Sequence, residues 1–244
     1  MKYSLIISAA MAALCQHAFA DIVYKTEAGA GWTVTRTTSS QPQGSGDYRT
    51  FPYDGVSTTA AAVNITNANS FWTAGNDSRL TTAKWISTDA TTGGTSADPF
   101  STRYVFHGVF TVAQLSQLNL AFAADNLVDE VVLSSAANGA GTQYLDWVNT
   151  VTPIGDQGVV GVGRIWGFTQ ANVQSAQAIA GGTIHVTATM YNYGGPPVAG
   201  HFADGSSWGM IMAINATAVP EPASMSIAGS ALAGLLLRRT RTKR

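Results

Sequence analysis

The chain has 244 residues and a formal net charge of −1 at pH 7, and only 11% of its residues are charged. Five of the thirteen Lys and Arg residues lie in the last seven positions, so residues 21–222 hold seven Lys and Arg against fourteen Asp and Glu, a balance of −7. This acidic body excludes nucleic acid as a partner, because nucleic-acid binding needs a basic footprint. It is compatible with divalent cations or neutral glycans.

Residues 1–20 have the pattern of a cleaved signal peptide. Lys2 supplies a positive start, an apolar run follows at 5–14, and Ala18 and Ala20 form an A-x-A cleavage site. The apolar run is too short to span a bilayer. We therefore expect the Sec translocon to export the chain and signal peptidase to cleave it after Ala20.

The only cysteine, Cys15, lies inside this leader. The exported chain can therefore form no disulfide, although it enters an oxidising compartment. The alternative is lipid attachment at Cys15. Leu14 is evidence against lipid attachment, because a lipobox has a small side chain before its cysteine.

Residues 21–218 are expected to form one all-β domain. Low charge with many Thr, Val and aromatic residues favours strands joined by turns of small residues. The predicted strands lie at 22–26, 32–37, 63–66, 83–87, 102–112, 118–123, 128–133, 162–168, 184–193 and 208–214. One segment, 172–179, predicts a short helix. The number and spacing of the strands favour an antiparallel, jelly-roll-like β-sandwich.

The segment 184–193 shows which side chains a sheet would present to solvent. Its apolar set is Ile184, Val186, Ala188 and Met190. Alternation places the other set, which includes His185, Tyr191 and Tyr193, on the opposite face. Glycan binding needs exposed aromatic rings beside polar groups. Tyr191, Tyr193 and Trp166, which lies near a turn, are the candidate glycan contacts.

No catalytic constellation is present in the sequence. H-E-x-x-H and G-x-S-x-G motifs are missing, and His107 and His185 are expected to be ordinary outward-facing strand residues. Asp129 and Glu130 are adjacent, so strand alternation predicts opposite faces and no acid pair. We therefore predict no catalytic residue and no enzyme.

One loop could hold a metal ion. Asp125, Asn126 and Asp129 offer the carboxylate and amide oxygens that calcium prefers. The alternative is that these are solvated turn residues. No other cofactor is expected.

The C-terminus, residues 219–244, has three parts. Val219, Pro220, Glu221 and Pro222 form an extended segment, because the two prolines remove backbone donors. Residues 223–237 carry no charge and span roughly 22 Å as a helix, a marginal transmembrane segment for a core of about 30 Å. Basic residues then stop transfer and stay cytoplasmic, which leaves the prolines outside; they include Arg238, Arg239 and Arg241.

This tail resembles the PEP-CTERM sorting signal in motif, order and position. The resemblance implies that exosortase recognises the Pro-Glu-Pro motif and processes the chain near Pro222. It also implies a Gram-negative bacterium that makes exopolysaccharide, and onward transfer from the inner membrane to the cell surface or biofilm matrix. The alternative is an ordinary tail anchor.

The body resembles galactose-binding-like β-sandwiches over about residues 80–218. The features that carry this resemblance are a tryptophan-initiated strand at 85–87, the segment 120–126 and the final strands from 184 to 214. Such domains often hold a structural calcium. From this resemblance together with the sorting tail, we predict an exported, exosortase-processed surface or matrix protein that is a non-catalytic binding or structural module associated with exopolysaccharide. The alternatives are a secreted glycan hydrolase with an unrecognised acidic pair and a purely structural coat component.

Overall fold

The computed structural model describes residues 21–42, 48–65, 78–88, 100–125, 127–149, 169–192 and 209–219. The predicted signal peptide, the strand predicted at 162–168 and the predicted transmembrane segment lie outside these ranges. Within them, helical structure is confined to 3-10 turns at Tyr48–Thr50, Ser78–Thr82 and Ala137–Gly139. The described part of the chain contains no helix long and apolar enough to cross a membrane.

Twelve strands account for most of the described residues. They are β1 (Asp21–Lys25), β2 (Thr33–Pro42), β3 (Thr58–Ala61), β4 (Val63–Asn64), β5 (Ile86–Ser87), β6 (Phe100–Val112), β7 (Ser116–Asp125), β8 (Leu127–Ser134), β9 (Gln143–Val148), β10 (Thr169–Gln174), β11 (Gly182–Asn192) and β12 (Gly209–Ala218). All their pairings are antiparallel. The all-β prediction is therefore confirmed for the described residues.

The strands form two sheets of six. Sheet A has the order β10-β7-β12-β5-β4, and β1 also pairs with β12. Sheet B has the order β3-β2-β6-β11-β8-β9. Because β1 and β12 pair along Asp21–Lys25, the first and last strands of the body lie side by side.

The two sheets bury one continuous apolar core between them. Sheet B contributes the predicted alternating sets, Tyr104, Phe106 and Phe110 on β6 and Ile184, Val186, Ala188 and Met190 on β11. Sheet A contributes Leu118, Leu120 and Phe122 on β7 and Met210, Met212 and Ile214 on β12. Two sheets that share an inner core are consistent with the predicted β-sandwich.

Sheet A is also covered on its outer face. Ala121 and Ala123 of β7 and Ile211 and Ala213 of β12 point away from the main core and are buried. They pack in a second cluster with Ile65, Leu80, Ala83 and Trp85. A sheet buried on both faces has continuous apolar strands, which explains the run of buried residues along β12.

An aromatic stack fills one end of the core. The Tyr24 ring lies between Trp32 and Phe110, with centroid distances of 5.1 Å to each. The Tyr24 hydroxyl donates to the carbonyl of Ala30 at 2.8 Å, and burial raises the pKa of Tyr24 to about 12. Gly108 on β6 makes room for this stack, because a Cβ there would come within 2.7 Å of the Tyr24 ring.

Two details of the secondary structure differ from the sequence prediction. The helix predicted at 172–179 is wrong, because residues up to Gln174 form β10 and pair with β7. The described side chains of this edge strand are exposed or half-buried, so its apolar and polar side chains do not alternate clearly. The sequence pattern over 172–179 is therefore closer to that of a helix than to that of a strand. Strands β3 and β9 were not predicted; β3 is exposed along its whole length and offers no apolar face to detect.

Thr26 links β12 to the segment around Lys84, which covers the outer face of sheet A. It is fully buried, and its hydroxyl donates to the carbonyl of Lys84 at 2.7 Å and accepts from the backbone N–H of Met212 at 2.9 Å. Its own backbone N–H donates to the Met212 carbonyl at 2.9 Å. The side chain therefore satisfies backbone groups at the point where β1 ends.

Thr26→Val is expected to lower the free energy of unfolding by about 1–3 kcal/mol, because the Met212 N–H loses its side-chain acceptor inside the core. Thr35→Val is a matched control, since the Thr35 hydroxyl bonds the Thr59 hydroxyl at an exposed site. Its effect should stay within about 0.5 kcal/mol. Urea unfolding of both variants measures the difference, and equal losses would contradict the assignment.

Candidate functional site

The outer face of sheet B is the candidate ligand-facing surface. On β6 and β11 the side chains opposite the core are mostly polar, and several are half-buried or exposed. Neighbouring strands align them in cross-strand rows. One row contains Thr33, His107, Thr187 and Val132, and the next contains Thr35, Val105, Thr189 and Glu130.

Two histidines meet on this face. His107 on β6 and His185 on β11 are both half-buried, as their predicted outward positions require. Nε2 of His107 lies 3.1 Å from Nδ1 of His185, and the rings stack with centroids 5.3 Å apart. Burial, followed by the charge of His185, lowers the pKa of His107 below its usual 6.5. The sequence predicts both as ordinary outward-facing strand residues, and their contact depends on the pairing of β6 with β11.

An aromatic and cationic cluster lies further along the same face, near the C-terminal end of β11. The Tyr53 ring packs on Tyr191 with centroids 5.3 Å apart, and the Arg103 guanidinium lies 5.1 Å from the Tyr53 centroid. Tyr191 is outward-facing as predicted but only 7% exposed. The expectation of an exposed ring at Tyr191 is therefore wrong, because Tyr53, from a segment distant in sequence, covers it.

An arginine clamp fixes the segment that carries Tyr53. Nε of Arg49 lies 2.5 Å from Oδ1 of Asp129, and the guanidinium also donates to the Asn149 carbonyl at 3.0 Å. Asn149 in turn donates to the backbone carbonyls of Asp129 and Val128. The clamp thus joins the 3-10 turn at Tyr48–Thr50 to β8 and the end of β9.

Acidic residues gather on this face beside the clamp. The register of β8 against β11 skips Asp129, which is a β-bulge. The bulge breaks the alternation, because Val128 and Val131 both lie in the core and the half-buried Asp129 and Glu130 between them both lie on the outer face. The prediction that Asp129 and Glu130 lie on opposite faces is therefore wrong. Burial raises the pKa of Glu130, and the charges of Asp146 and Asp129 add to the shift.

Two tryptophans of the described ranges, Trp147 and Trp32, pack in or against the core and do not surround this acidic group. Trp147, next to Asp146 on β9, packs against the core with its ring edge-on to Phe122 at 5.0 Å. Trp32 is 2% exposed and donates its indole N–H to the carbonyl of Lys25. Glu130 and Asp146 therefore lie on a sheet face, and in the described ranges neither ring forms an aromatic cleft around them.

The remaining predicted site residues divide into two groups. Asp129 is bound to Arg49, and Val219 donates its backbone N–H to the Leu115 carbonyl at 2.9 Å. The rest lie outside the described residues or, for Asp125, have no described side chain: Ala18, Ala20, Asn126, Trp166, Tyr193, Pro220, Glu221, Pro222, Arg238, Arg239 and Arg241. Within the described ranges, no group of three or more His, Cys, Asp or Glu side chains is placed to hold a metal ion.

The fold contributes three residues to this face that the sequence did not indicate. Arg49, Tyr53 and Asn149 reach it from segments far apart in the chain, and Arg49 and Asn149 are 100 positions apart. A single arginine in a polar segment carries no local signal of its partner. Only the packing of that segment over β11 and β8 brings these residues together.

The burial of His107 and its contact with His185 make the free energy of unfolding depend on pH. The folded pKa of His107 is lowered, so the native state binds fewer protons than the unfolded chain in the window just below pH 6.5. We expect the free energy of unfolding to fall as pH drops through this window. Urea unfolding at pH 7.5 and pH 6.0 tests this, and His107→Gln should reduce the difference. An unchanged difference in His107→Gln would contradict the assignment.

Comparison with known families concerns the C-terminus. A family model of the PEP-CTERM protein-sorting motif matches residues 218–241. The chain carries a PEP-CTERM sorting motif. This motif implies an exported protein that is transiently anchored in the membrane and processed by exosortase.

Comparison of the whole chain with curated proteins and solved structures gives less information than the C-terminal motif does. No curated protein matches it. Among solved structures, the K1 cleaved adhesin domain of Lys-gingipain from Porphyromonas gingivalis W83 is similar at 9% identity, with a TM-score of 0.31, over 83% of this chain and 98% of that chain. A TM-score this low supports no conclusion about the activity of this chain.

Proposed function

We propose that this PEP-CTERM protein is a non-catalytic surface or matrix module whose outer face of sheet B contacts exopolysaccharide. The observation that carries the proposal is the difference between the two sheets. The central strands β7 and β12 of sheet A are buried on both faces, whereas sheet B presents hydroxyl, imidazole and carboxylate groups on its outer face. A polar sheet face with neighbouring Thr, Arg and Glu side chains offers many hydrogen-bond donors and acceptors to a polysaccharide.

The topology supports a jelly-roll assignment of the body. In sheet A the order β1-β12-β7-β10 alternates early and late strands, and in sheet B the order β6-β11-β8-β9 does the same. Interleaved strands of this kind are a feature of two Greek keys closed into a double sheet. The galactose-binding-like family of the body remains a proposal that rests on its sequence features.

Export and anchoring are part of the same proposal. The Sec translocon and signal peptidase would release the chain into the periplasm, and the apolar segment with its basic cluster would hold the precursor in the inner membrane. Exosortase processing would then pass the body to the cell surface or matrix of a Gram-negative bacterium. Asp125, Asn126 and Asp129 stay candidates for a structural calcium, although Asp129 already binds Arg49.

A binding experiment tests the role of sheet B. The exported chain should sediment with the producer's own exopolysaccharide, measured with calcium and with a chelator. Thr35→Lys combined with Thr189→Lys places bulky cations on the face and should weaken binding at least about tenfold. Gln174→Lys on β10 of sheet A is the matched control and should bind normally. Equal binding by all variants would refute the assignment to this face.

A glycan hydrolase is the second candidate, and one observation favours it. Glu130 and Asp146 come from neighbouring strands, and the raised pKa of Glu130 suits a general acid. If this candidate is correct, the wild-type chain releases reducing sugar from the polysaccharide, and Glu130→Gln and Asp146→Asn each abolish the release. Binding without any release supports the non-catalytic proposal.

A further inference from the structure

The two histidines on the outer face of sheet B are arranged like metal ligands. His107 and His185 belong to neighbouring strands and are diagonal to one another, since the register pairs His107 with Thr187 and His185 with Val109. Nε2 of His107 and Nδ1 of His185 point at each other across 3.1 Å. Only one proton can occupy the space between two nitrogens at that distance, so at least one of them presents a lone pair to its neighbour.

The nitrogen separation is close to that of a ligand pair. Two imidazole nitrogens bound tetrahedrally to one ion, with metal–nitrogen bonds of about 2.0–2.1 Å, lie roughly 3.3–3.4 Å apart. The observed 3.1 Å needs to widen by only a few tenths of an ångström. Small rotations of the two rings would supply this, because both side chains are half-buried on a solvent-facing sheet rather than locked in the core.

The immediate surroundings can complete such a site with oxygen. Thr187 lies directly across from His107 and two positions along β11 from His185, so it occupies the same corner of the face. Its Oγ1 is buried and has no hydrogen-bond partner among the described residues. Buried polar atoms are nearly always satisfied, and an unsatisfied hydroxyl beside two imidazoles is the partner that a metal-bound water would use.

We propose that His107 and His185 form a two-histidine site for a divalent transition-metal ion of the kind that prefers imidazole, namely Cu²⁺, Ni²⁺ or Zn²⁺. The ion replaces the proton between the two nitrogens, and Thr187 orients a water molecule in its coordination shell. Two protein ligands leave positions open for oxygen atoms of a further ligand. This inference goes beyond the proposed function and is independent of the predicted calcium set, which consists of oxygen ligands.

Metal titration of the full exported chain, with no histidine tag and stripped by a chelator, tests the site. We expect one Cu²⁺ or Zn²⁺ ion per chain, with Cu²⁺ bound more tightly, as the general order of divalent ions requires. His107→Gln and His185→Gln should each weaken binding at least tenfold. His201→Gln, which changes the other histidine of residues 21–244, is the matched control and should leave the affinity unchanged.

A spectroscopic measurement covers the case in which a variant fails to fold. Electron paramagnetic resonance of the Cu²⁺-loaded wild-type chain should show two coordinated imidazole nitrogens, and a spectrum with fewer than two would overturn the proposal. Binding that survives the double variant His107→Gln/His185→Gln, or that is lost in His201→Gln, would likewise overturn it. Calcium in excess should not displace the ion, because imidazole is a poor ligand for that cation.

Discussion

Replacing Pro220 and Pro222 together by alanine is expected to leave the chain at full length in the membrane. The motif matched at residues 218–241 implies processing by exosortase. Proline lacks a backbone N–H and disfavours helix at and before its position, and alanine at both positions removes that restriction. Fractionation followed by immunoblotting should show a precursor in the membrane and almost none at the surface.

The control for this experiment is a change just outside the processing motif. Thr217→Ala alters a half-buried residue at the end of β12 and leaves both prolines in place. It should be processed and released as the wild-type chain is. If the double proline variant reached the surface at the wild-type size and amount, the Pro-Glu-Pro segment would not be the recognition element.

Trp32→Ala is expected to lower the free energy of unfolding by about 3–5 kcal/mol, as truncation of a buried large aromatic residue does. Trp32 is 2% exposed, and its ring stacks on Tyr24 at 5.1 Å. Its indole N–H also donates to the Lys25 carbonyl at 2.9 Å. The variant therefore loses apolar contact, an aromatic pair and a hydrogen bond that ties β2 to β1.

Thermal unfolding measures this loss as a fall in Tm on the order of 10 °C. Trp32→Phe is the matched control, because phenylalanine keeps a ring against Tyr24 and removes only the N–H and part of the volume. It should lose clearly less stability than Trp32→Ala. If the two variants were equally stable, the stack of Tyr24, Trp32 and Phe110 would contribute little to the fold.

The sequence predicted those parts of the fold in which one face of a strand is buried and the other is not. β6 and β11 alternate because their inner side chains, such as Phe106 and Val186, face the core and their outer ones face solvent. β3 and β10 lack that contrast, one being exposed along its length and the other lying at a sheet edge. Pattern-based prediction therefore missed the first and assigned a helix to part of the second.

The site was less predictable than the fold, for a physical reason. The sorting motif is contiguous, so local chemistry reveals it, whereas the cover over Tyr191 depends on Tyr53, 138 positions earlier in the chain. The bulge at Asp129 is equally hidden, because it results from the register between β8 and β11. The meeting of His107 and His185 likewise requires the pairing of β6 with β11 to be known.

The place of β12 in sheet A links folding to export. β12 pairs with β7, β5 and β1, and seven of its ten residues are buried. Sheet A therefore cannot form completely without this strand. The matched sorting motif starts at residue 218, the last residue of β12. The segment whose processing the motif implies therefore directly follows the strand that completes sheet A.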